Sequence, residues 1–548
     1  MAIDGNLATA AFEAPGPGSW AIDTVHVPRP FSRFQAEVHP PNLAEGFRDC
    51  ARRYGLLIDT LSYQFVNGFA YSAPVPAPAE EIPARFEAAS KVFRDKLWRE
   101  DLALWDHEVK PAAIRAHKDL LAIDPEILSG DAFVAYLDRC REHLKRMVRQ
   151  HHSFNAAAMI PVGDFMAHVG AWTGLPLGEF LALTRGSAPE SAGSFPELDR
   201  LVAAIRHHPE AGRLLASKTP DAEILAQLCR LPGEVGEAAC AYLGIVAHRL
   251  LDSLDTGEPS AIEVPEVLVA GIRLGVEHGA PAAKTATEDE VARLRDKVPT
   301  ENRELFDELL GEVRVMSRLR DERGLYSDVW AAGIMRRALL VAGARLAAEG
   351  RIAEPAHLVE AGYEEIRSLV RGEGGPSAAE LADRSTYRKT HRTDQAPAVL
   401  GDPPSPPPPL DGLPPDVVRL MQAMGSAIAA LGGGPAPESD ATVIRGTGAS
   451  PGSFTGTARV IDGPVDFGRL RRGDVLVTAT TTESFNIVLP LLGAIVTNAG
   501  GLLSHAAIVG REYGIPSVVG TRDATSRIPD GAQITVDGTT GEVRVSSS

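Results

Sequence analysis

The sequence predicts a multidomain protein, with a large, mostly α-helical domain followed by a small C-terminal β/β/α domain. Apolar residues recur at intervals of three and four through most of the chain, as in the face formed by Leu305, Leu309, Val313 and Met316. A Pro-rich stretch, Asp402–Pro409, then interrupts the helical pattern, because each proline ring fixes φ and removes a donor. Short β-rich runs separated by Gly and Asp follow it.

The composition excludes several classes of protein. The 55 Lys and Arg against 72 Asp and Glu give a net charge of −17, whereas nucleic-acid binders carry dense basic surfaces. The cysteines are scattered without a CxxC pair, which predicts no disulfide framework and fits a reducing cytoplasm. No apolar stretch reaches the length of a membrane span, and the N-terminus does not read as a signal peptide. We therefore expect a cytoplasmic protein with no nucleic-acid partner, no membrane partner and no metal cluster.

Changes of pattern divide the chain into segments. We expect an irregular leader at 1–30, a helical domain at 31–395, a Pro/Gly-rich linker at 396–440 and a β/β/α domain at 441–548. The helical domain includes one hairpin at Tyr63–Tyr71, where aromatic and β-branched residues flank an Asn-Gly turn. The predicted helices are Leu43–Leu57, Phe86–Leu102, Asp131–Gln150, Ala222–Leu231, Trp330–Glu349, Pro415–Leu431 and Ser504–Tyr513. The predicted C-terminal strands are Ala458–Ile461, Val475–Ala479, Ala494–Thr497, Ser517–Val519, Ile534–Asp537 and Glu542–Val545.

One stretch, Ala494–Gly520, carries the clearest chemical signal. An apolar strand leads into Gly500 and Gly501, which permit a tight turn, and Ser504 is a good N-cap for the helix that follows. His505 then lies in the first helical turn, where the helix dipole disfavours imidazolium and favours an attached phosphoryl group. The pattern suits a phosphate-carrying histidine, although a histidine that only packs against or caps a helix would fit the same spacing.

This stretch resembles the phosphohistidine signature of the swivelling domain in phosphoenolpyruvate-utilising enzymes. That family includes phosphoenolpyruvate synthase, pyruvate phosphate dikinase, rifampin phosphotransferase and phenylphosphate synthase. Gly446–Ile461, Gly473–Ser484 and Asp530–Val545 are similar to other parts of the same domain, so that the resemblance covers residues 441–548. The resemblance implies that His505 is the phosphorylated nucleophile. It also implies a phosphohistidine loop that comprises Gly500, Gly501, Ser504 and Arg511.

The helical region resembles the acceptor-binding domain of rifampin phosphotransferase and phenylphosphate synthase. The similar segments are Tyr54–Tyr71 and Arg318–Ile352. The second segment implies that Arg320, Arg323 and Arg336 bind substrate or phosphate, although a solvated helix face paired with acids is the alternative for each.

The resemblance also implies which parts of the reaction lie elsewhere. The N-terminal region has no Gly-rich phosphate loop, and the chain ends soon after the carrier domain, where a barrel of roughly 250 residues would otherwise bind phosphoenolpyruvate. We therefore expect ATP and Mg²⁺ to bind a partner ATP-grasp protein similar to phosphoenolpyruvate synthase, with no cofactor held permanently by this chain.

The sequence thus predicts a component of a split, dikinase-type phosphotransferase. His505 would accept a phosphoryl group from the ATP-grasp partner and pass it to a hydroxyl of a small organic substrate in the helical domain. In one alternative, phosphate is only a leaving group in a dehydration or rearrangement, with His151 or His152 as acid or base. In the other, the chain is a non-catalytic regulatory protein switched by phosphorylation of His505.

Overall fold

The computed structural model describes residues 11–546 except 25, 28, 190–192, 194, 252–253, 279–284, 407, 433–442, 483–484 and 487. The chain divides into two compact units, each assembled from separate stretches of sequence. The first unit comprises Met1–Ala157, His248–Ser260 and Arg323–Leu420, and the second comprises Ala158–Ala247, Ala261–Glu322 and Met421–Ser548. The predicted helical domain therefore contributes to both units, a division that depends on long-range packing and leaves no mark on local periodicity.

The described residues form a mostly helical protein with a C-terminal sheet, as predicted. The strands are β1 Ser19–Ile22, β2 Ile58–Val66, β3 Phe69–Pro76, β4 Val399–Gly401, β5 Val443–Arg445, β6 Thr447–Ser450, β7 Ser453–Val460, β8 Val475–Thr478, β9 Ala494–Thr497, β10 Ser517–Val519, β11 Gln533–Asp537 and β12 Glu542–Val545. The helices of the N-terminal half are α1 Arg33–Tyr54, α2 Ile82–Val92, α3 Leu97–Leu104, α4 Lys110–Leu121, α5 Gly130–Ser153, α6 Asn155–Thr173, α7 Leu177–Leu181, α8 Pro196–Arg206, α9 Pro209–Leu215, α10 Asp221–Arg230, α11 Glu234–Val246 and α12 Pro265–His278. The remaining helices are α13 Glu288–Arg295, α14 Arg303–Met316, α15 Leu319–Leu325, α16 Asp328–Ala348, α17 Tyr363–Arg371, α18 Ala378–Thr390, α19 Pro415–Gly432, α20 His505–Tyr513 and α21 Ala524–Arg527.

A four-stranded antiparallel sheet lies in the first unit, in the order β2-β3-β1-β4. The predicted hairpin is confirmed, since Asn67 and Gly68 join β2 to β3 with φ of 51° and 81°. The leader is not wholly irregular, because β1 lies within it and pairs with β4 from the predicted linker. Trp20 of β1 is buried against Phe69, Tyr71 and Leu400, and this apolar contact holds the strand in place.

Helices α1, α5 and α16 pack together in the first unit. Gly46 lies where α1 meets α5, and a Cβ there would come within 2.2 Å of the Arg149 carbonyl oxygen. The two helices can therefore approach closely at a point where any other residue would push them apart. The helix predicted at Phe86–Leu102 is interrupted, because Lys96 takes a φ of 50° and separates α2 from α3.

The second unit combines most of α6, all of α7 to α14 and part of α15 with the C-terminal β/β/α domain. Its sheet has the order β5-β12-β11-β7-β8-β9-β10-β6, with parallel pairing from β7 through β10. Every residue of β8 and β9 is buried, which agrees with the continuous apolar runs typical of parallel strands covered on both faces. Strands β9, β10 and β12 have the bounds that the sequence predicts.

Between the domains, the short linker helix is confirmed as α19, and Asp402–Ser405 is irregular as the proline pattern predicts. The Gly-rich part of the linker at 433–434 falls outside the described residues. A search of the described helices found none with both the length and the apolar character that crossing a bilayer requires.

Candidate functional site

His505 begins helix α20 in the second unit, directly after the turn that follows β9. Gly500 has a φ of 98°, the left-handed conformation that a glycine adopts without strain. The Ser504 hydroxyl caps the helix by accepting a hydrogen bond from the Ala507 N–H at 3.4 Å. The glycine turn and the cap together place the imidazole at the positive end of α20.

Thr481 fixes the orientation of the His505 ring. The Thr481 Oγ1 lies 2.9 Å from Nδ1 of His505. A neutral histidine that uses Nε2 as its nucleophile carries its proton on Nδ1, and that N–H would donate to the threonine oxygen. Nε2 is shielded from solvent in the structure. In that tautomer Nε2 keeps its lone pair and is the ring nitrogen able to act as a nucleophile.

Arg511 braces the phosphohistidine loop from within the C-terminal domain. Its Nη1 donates to the carbonyl oxygens of Leu502 at 2.9 Å and Ala449 at 3.2 Å, and the residue is 3% exposed. Burial lowers the pKa of Arg511 to about 10, an effect that the charge of Glu512 opposes. Because both hydrogen bonds go to backbone carbonyl oxygens, Arg511 stabilises the backbone next to His505.

Arg320 lies close to this brace, in a small cavity between α14, α15 and α20. The cavity has about 30 Å³ of space for water, which suffices for one or two water molecules and excludes an organic acceptor. The charge of Arg320 helps to lower the pKa of Arg511, and its own carboxylate neighbour is Asp321 at 3.9 Å.

The first unit holds a second set of polar groups, centred on His151 and Asp328. Nδ1 of His151 lies 2.8 Å from both carboxylate oxygens of Asp328, whose exposure is 2%. Burial raises the pKa of Asp328 to about 7, against the opposing charges of His39 and Arg323. A histidine hydrogen-bonded to a carboxyl group that titrates near neutrality can, together with it, accept a proton from a hydroxyl.

His152 stacks on His151, with ring centroids 4.6 Å apart and an angle of 6° between the rings. Asn155 donates through Nδ2 to Nδ1 of His152 at 3.2 Å, which leaves the proton of a neutral ring on Nε2. That Nε2 is buried without a hydrogen-bond partner among the described residues. Burial and the charges of His151 and His39 hold the pKa of His152 well below its usual value.

Aromatic side chains from α1 and β2 surround this cluster. His39 is 3% exposed and contacts the rings of Phe31, Tyr63 and His152 edge to face, with centroids 5.7 to 6.1 Å apart. Burial lowers the pKa of His39 to about 4, and its Nδ1 has no hydrogen-bond partner among the described residues. Tyr63 donates its hydroxyl to Asp23 at 3.0 Å.

A buried histidine relay supports the backbone next to Asp328. Nε2 of His117 lies 3.0 Å from the Tyr326 carbonyl and must donate to it, so Nδ1 of His117 is an acceptor. His143 lies 2.8 Å from that nitrogen and must donate in turn, which leaves its own Nδ1 to accept from Arg146 at 3.3 Å. These hydrogen bonds therefore determine which nitrogen carries the proton in His117 and in His143, and both rings must be neutral.

Three of these side chains in the first unit are of types that bind metal ions. Ligand atoms of His151, His152 and Asp328 lie within 4.8 Å of one another. However, the rings of His151 and His152 are stacked in parallel, so their nitrogen lone pairs lie in two parallel planes. These lone pairs can meet at one metal ion only if one ring rotates. The arrangement fits proton transfer better than metal ligation.

The predicted arginines are distributed over both units. Arg320 belongs to the second unit, and Arg323 belongs to the first, where its charge acts on His152 and Asp328. Arg336 also belongs to the first unit, is 5% exposed and donates through Nη1 to the Thr256 carbonyl at 2.9 Å.

Comparison with known proteins supports this description of the C-terminal domain. The family model for the mobile domain of phosphoenolpyruvate-utilising enzymes matches residues 470–541, which include His505 and Thr481. The model for the fourth domain of rifampicin phosphotransferase matches residues 150–321, which include His151, His152 and Arg320.

Individual relatives agree with both family models. Rifampicin phosphotransferase of Streptomyces sviceus is 28% identical over 463 residues, which cover 79% of this chain and 49% of that protein. An uncharacterised phosphotransferase of Bacillus subtilis is 48% identical over 104 residues, 19% of this chain and 12% of its own length. A probable phosphoenolpyruvate synthase of Pyrococcus abyssi is 46% identical over 101 residues, 18% of this chain and 12% of its own length.

The chain spans about half the length of the rifampicin phosphotransferases that it matches. The matched regions contain the histidine-bearing loop and one of the helical regions described above. The chain thus carries the mobile domain of the phosphoenolpyruvate-utilising enzymes and resembles rifampicin phosphotransferase along most of its length.

Proposed function

We propose that the chain is a phosphotransferase component in which Nε2 of His505 carries a phosphoryl group from ATP to a hydroxyl of a small organic molecule. The observation that carries this proposal is the 2.9 Å contact between Thr481 and Nδ1 of His505 at the start of α20. It engages one ring nitrogen and directs the other toward phosphorus, next to a helix N-terminus that favours the anionic phosphoryl group. The match to the mobile-domain model supports the same role.

The donor would be ATP bound with Mg²⁺ to an ATP-grasp domain on a partner protein. Support for this comes from the similarity to rifampicin phosphotransferase and to a probable phosphoenolpyruvate synthase. In the first step, Nε2 attacks phosphorus and the bond between phosphorus and the nucleotide oxygen breaks. The Nδ1–H group stays hydrogen-bonded to Thr481, which stabilises the phosphorylated ring.

In the second step, the acceptor oxygen attacks phosphorus, the N–P bond breaks and its electron pair returns to Nε2. The hydroxyl proton has to leave, and we assign it to the pair formed by His151 and Asp328. The transition state is loose and anionic, so cationic side chains that bind the acceptor should dominate its stabilisation. We assign that role to Arg323, whose charge acts on Asp328 within the first unit, while Arg336 has one Nη group engaged with the Thr256 carbonyl.

A labelling experiment tests the carrier role. The purified chain is incubated with β-labelled or γ-labelled ATP and an ATP-grasp protein, and acid-labile, base-stable label is measured on wild type, His505→Ala and the exposed control His107→Ala. Label that needs the ATP-grasp protein and is lost only in His505→Ala supports the proposal. Equal labelling of His505→Ala would refute it. Label on His505 that no phenol or alcohol removes would favour a phosphorylation-dependent regulatory protein.

A second candidate function is elimination or rearrangement, with phosphate as the leaving group. It is favoured by the number of titratable groups around His151, since His39 and His152 add two more neutral imidazoles to a buried cluster. This reaction would release inorganic phosphate in step with an unphosphorylated product, whereas simple transfer leaves the phosphate on the acceptor. Either reaction fits a cytoplasmic protein whose cysteines are all free thiols.

A further inference from the structure

The C-terminal domain lies against α7, α14 and the loop Arg185–Ala188 within the second unit. We call the helical side of this contact the docking surface. Gly178 of α7 approaches so closely that a Cβ there would come within 2.6 Å of the Gly448 carbonyl oxygen. Leu503 and Ile508 face Val313 and Met316 across the small cavity. At these points the contact is apolar and close-packed.

Glu512 makes the charged contact in this apolar surface. It is 3% exposed, and its Oε2 accepts a hydrogen bond from the Gly186 N–H at 2.7 Å. The N–H groups of Ser187 and Ala188 also act on this carboxylate, although Ser187 donates to the Thr184 carbonyl as well. Gly186 has a φ of 81°, which turns the loop so that successive N–H groups point at one anion.

We propose that Glu512 is the positioning residue that latches the C-terminal domain onto the docking surface and so sets how long the domain that carries His505 stays docked there. The proposal rests on the carrier role of His505 given above. Glu512 lies two turns along α20 from His505, so whatever fixes its carboxylate also fixes the start of the helix.

The N–H groups that bind the Glu512 carboxylate determine how much Glu512 contributes to docking. If the carboxylate is removed, the Gly186 and Ala188 N–H groups face a buried position without an acceptor in the docked state. In the undocked state, water satisfies them. The loss of Glu512 therefore penalises docking alone, and on the order of a tenfold increase in the undocked population is expected.

The distance between two spin labels measures docking without any substrate. Cys240 is an exposed native thiol on α11, and Ser526→Cys adds an exposed site on the C-terminal domain, in a Cys229→Ser background. Wild type should give one dominant distance by pulsed electron paramagnetic resonance. Glu512→Ala should add a second, longer population, and the isosteric Glu512→Gln should fall between the two. Asp462→Ala, an exposed acid of the same domain, should match wild type.

Labelling with ATP and the ATP-grasp protein separates the two proposals. Glu512→Ala should still be phosphorylated on His505, at the wild-type rate or faster, because charging takes place away from the docking surface. Absence of label on wild type would overturn the carrier role and leave the distance result unaffected. The latch is overturned if both Glu512 variants give the wild-type distance distribution, or if both lose labelling as His505→Ala does.

Discussion

Thr481 Oγ1 lies 2.9 Å from Nδ1 of His505, and this contact joins the loop after β8 to the first turn of α20. The two residues are brought together because β8 and β9 are adjacent parallel strands whose carboxyl ends meet at one edge of the sheet. The threonine is thus supplied by the strand next to the one that leads into the phosphohistidine loop.

Replacing Thr481 by Val should slow phosphorylation of His505 by about tenfold, the cost of one hydrogen bond that holds the ring and its tautomer. Thr481→Ser keeps the hydroxyl and should retain most of the rate. Labelling rates with ATP and the ATP-grasp protein provide the measurement, with Thr455→Val on the exposed face of β7 as control. Equal rates for the Val and Ser variants would show that the ring is oriented by something else.

Transfer from phosphorylated His505 to an acceptor should rise with pH around a midpoint near 7. Burial raises the pKa of Asp328 to about 7, so its pair with His151 holds a proton below that pH and can accept one above it. Asp328→Asn should remove this inflection and slow transfer by about 100-fold to 10,000-fold. Single-turnover transfer from the phosphorylated protein between pH 5.5 and 8.5 measures this, and phosphorylation of His505 should be unaffected. A profile with the same midpoint in the variant would contradict the assignment.

The first unit should lose stability as the pH falls from about 6.5 toward about 4. Burial lowers the pKa of His117 to about 4 and that of His143 to about 3, so the unfolded chain binds more protons than the folded one in this range. Folding is not penalised by these two rings above about pH 6.5, the pKa of histidine in the unfolded chain. Below that pH the free energy of unfolding should decrease, by several kcal/mol in all.

Urea unfolding at pH 7, 6 and 5 measures this loss. The double variant His117→Gln/His143→Gln should be less stable at pH 7 and should show a flatter dependence on pH, because neither amide titrates. His107→Ala, at an exposed histidine, should keep the wild-type slope.

Arg511→Lys should destabilise the C-terminal domain by about 2 to 3 kcal/mol. The guanidinium donates from one nitrogen to the Leu502 carbonyl of the phosphohistidine loop and the Ala449 carbonyl of β6, a geometry that an ammonium on a shorter side chain does not reproduce. Arg544→Lys, on the exposed part of β12, should change stability by less than about 0.5 kcal/mol. Denaturant unfolding followed by hydrogen exchange in β9 and α20 distinguishes the two variants. Similar losses in both would show that Arg511 is not a brace.

The residues that the sequence predicted correctly carry local signals. Gly500, Ser504 and His505 follow one another in a strand, turn and helix start, and the turn around Asn67 is encoded by two adjacent residues. Asp328 gave no such signal, because it meets His151 across 177 positions and the contact exists only once α5 and α16 have packed.

Other differences have equally specific causes. Helix α1 begins at Arg33 and runs through Pro40 and Pro41, whereas the prediction began the helix after them. Glu512 carried no local signal, because only the folded loop at Gly186 gives it a partner. Long-range contacts of this kind shape the candidate sites, so the sequence located the turn and helix start at His505 and missed the contacts of Asp328 and Glu512.

The pairing of β1 with β4 has a consequence for synthesis on the ribosome. The strands β1, β2 and β3 are complete once Pro76 has emerged, but β4 begins roughly 320 residues later. At about 5 to 20 residues per second, the outer edge of β1 stays unpaired for roughly 15 to 65 s. An open strand edge invites pairing with other chains, so this nascent sheet should be a preferred site for chaperone binding until residue 401 emerges.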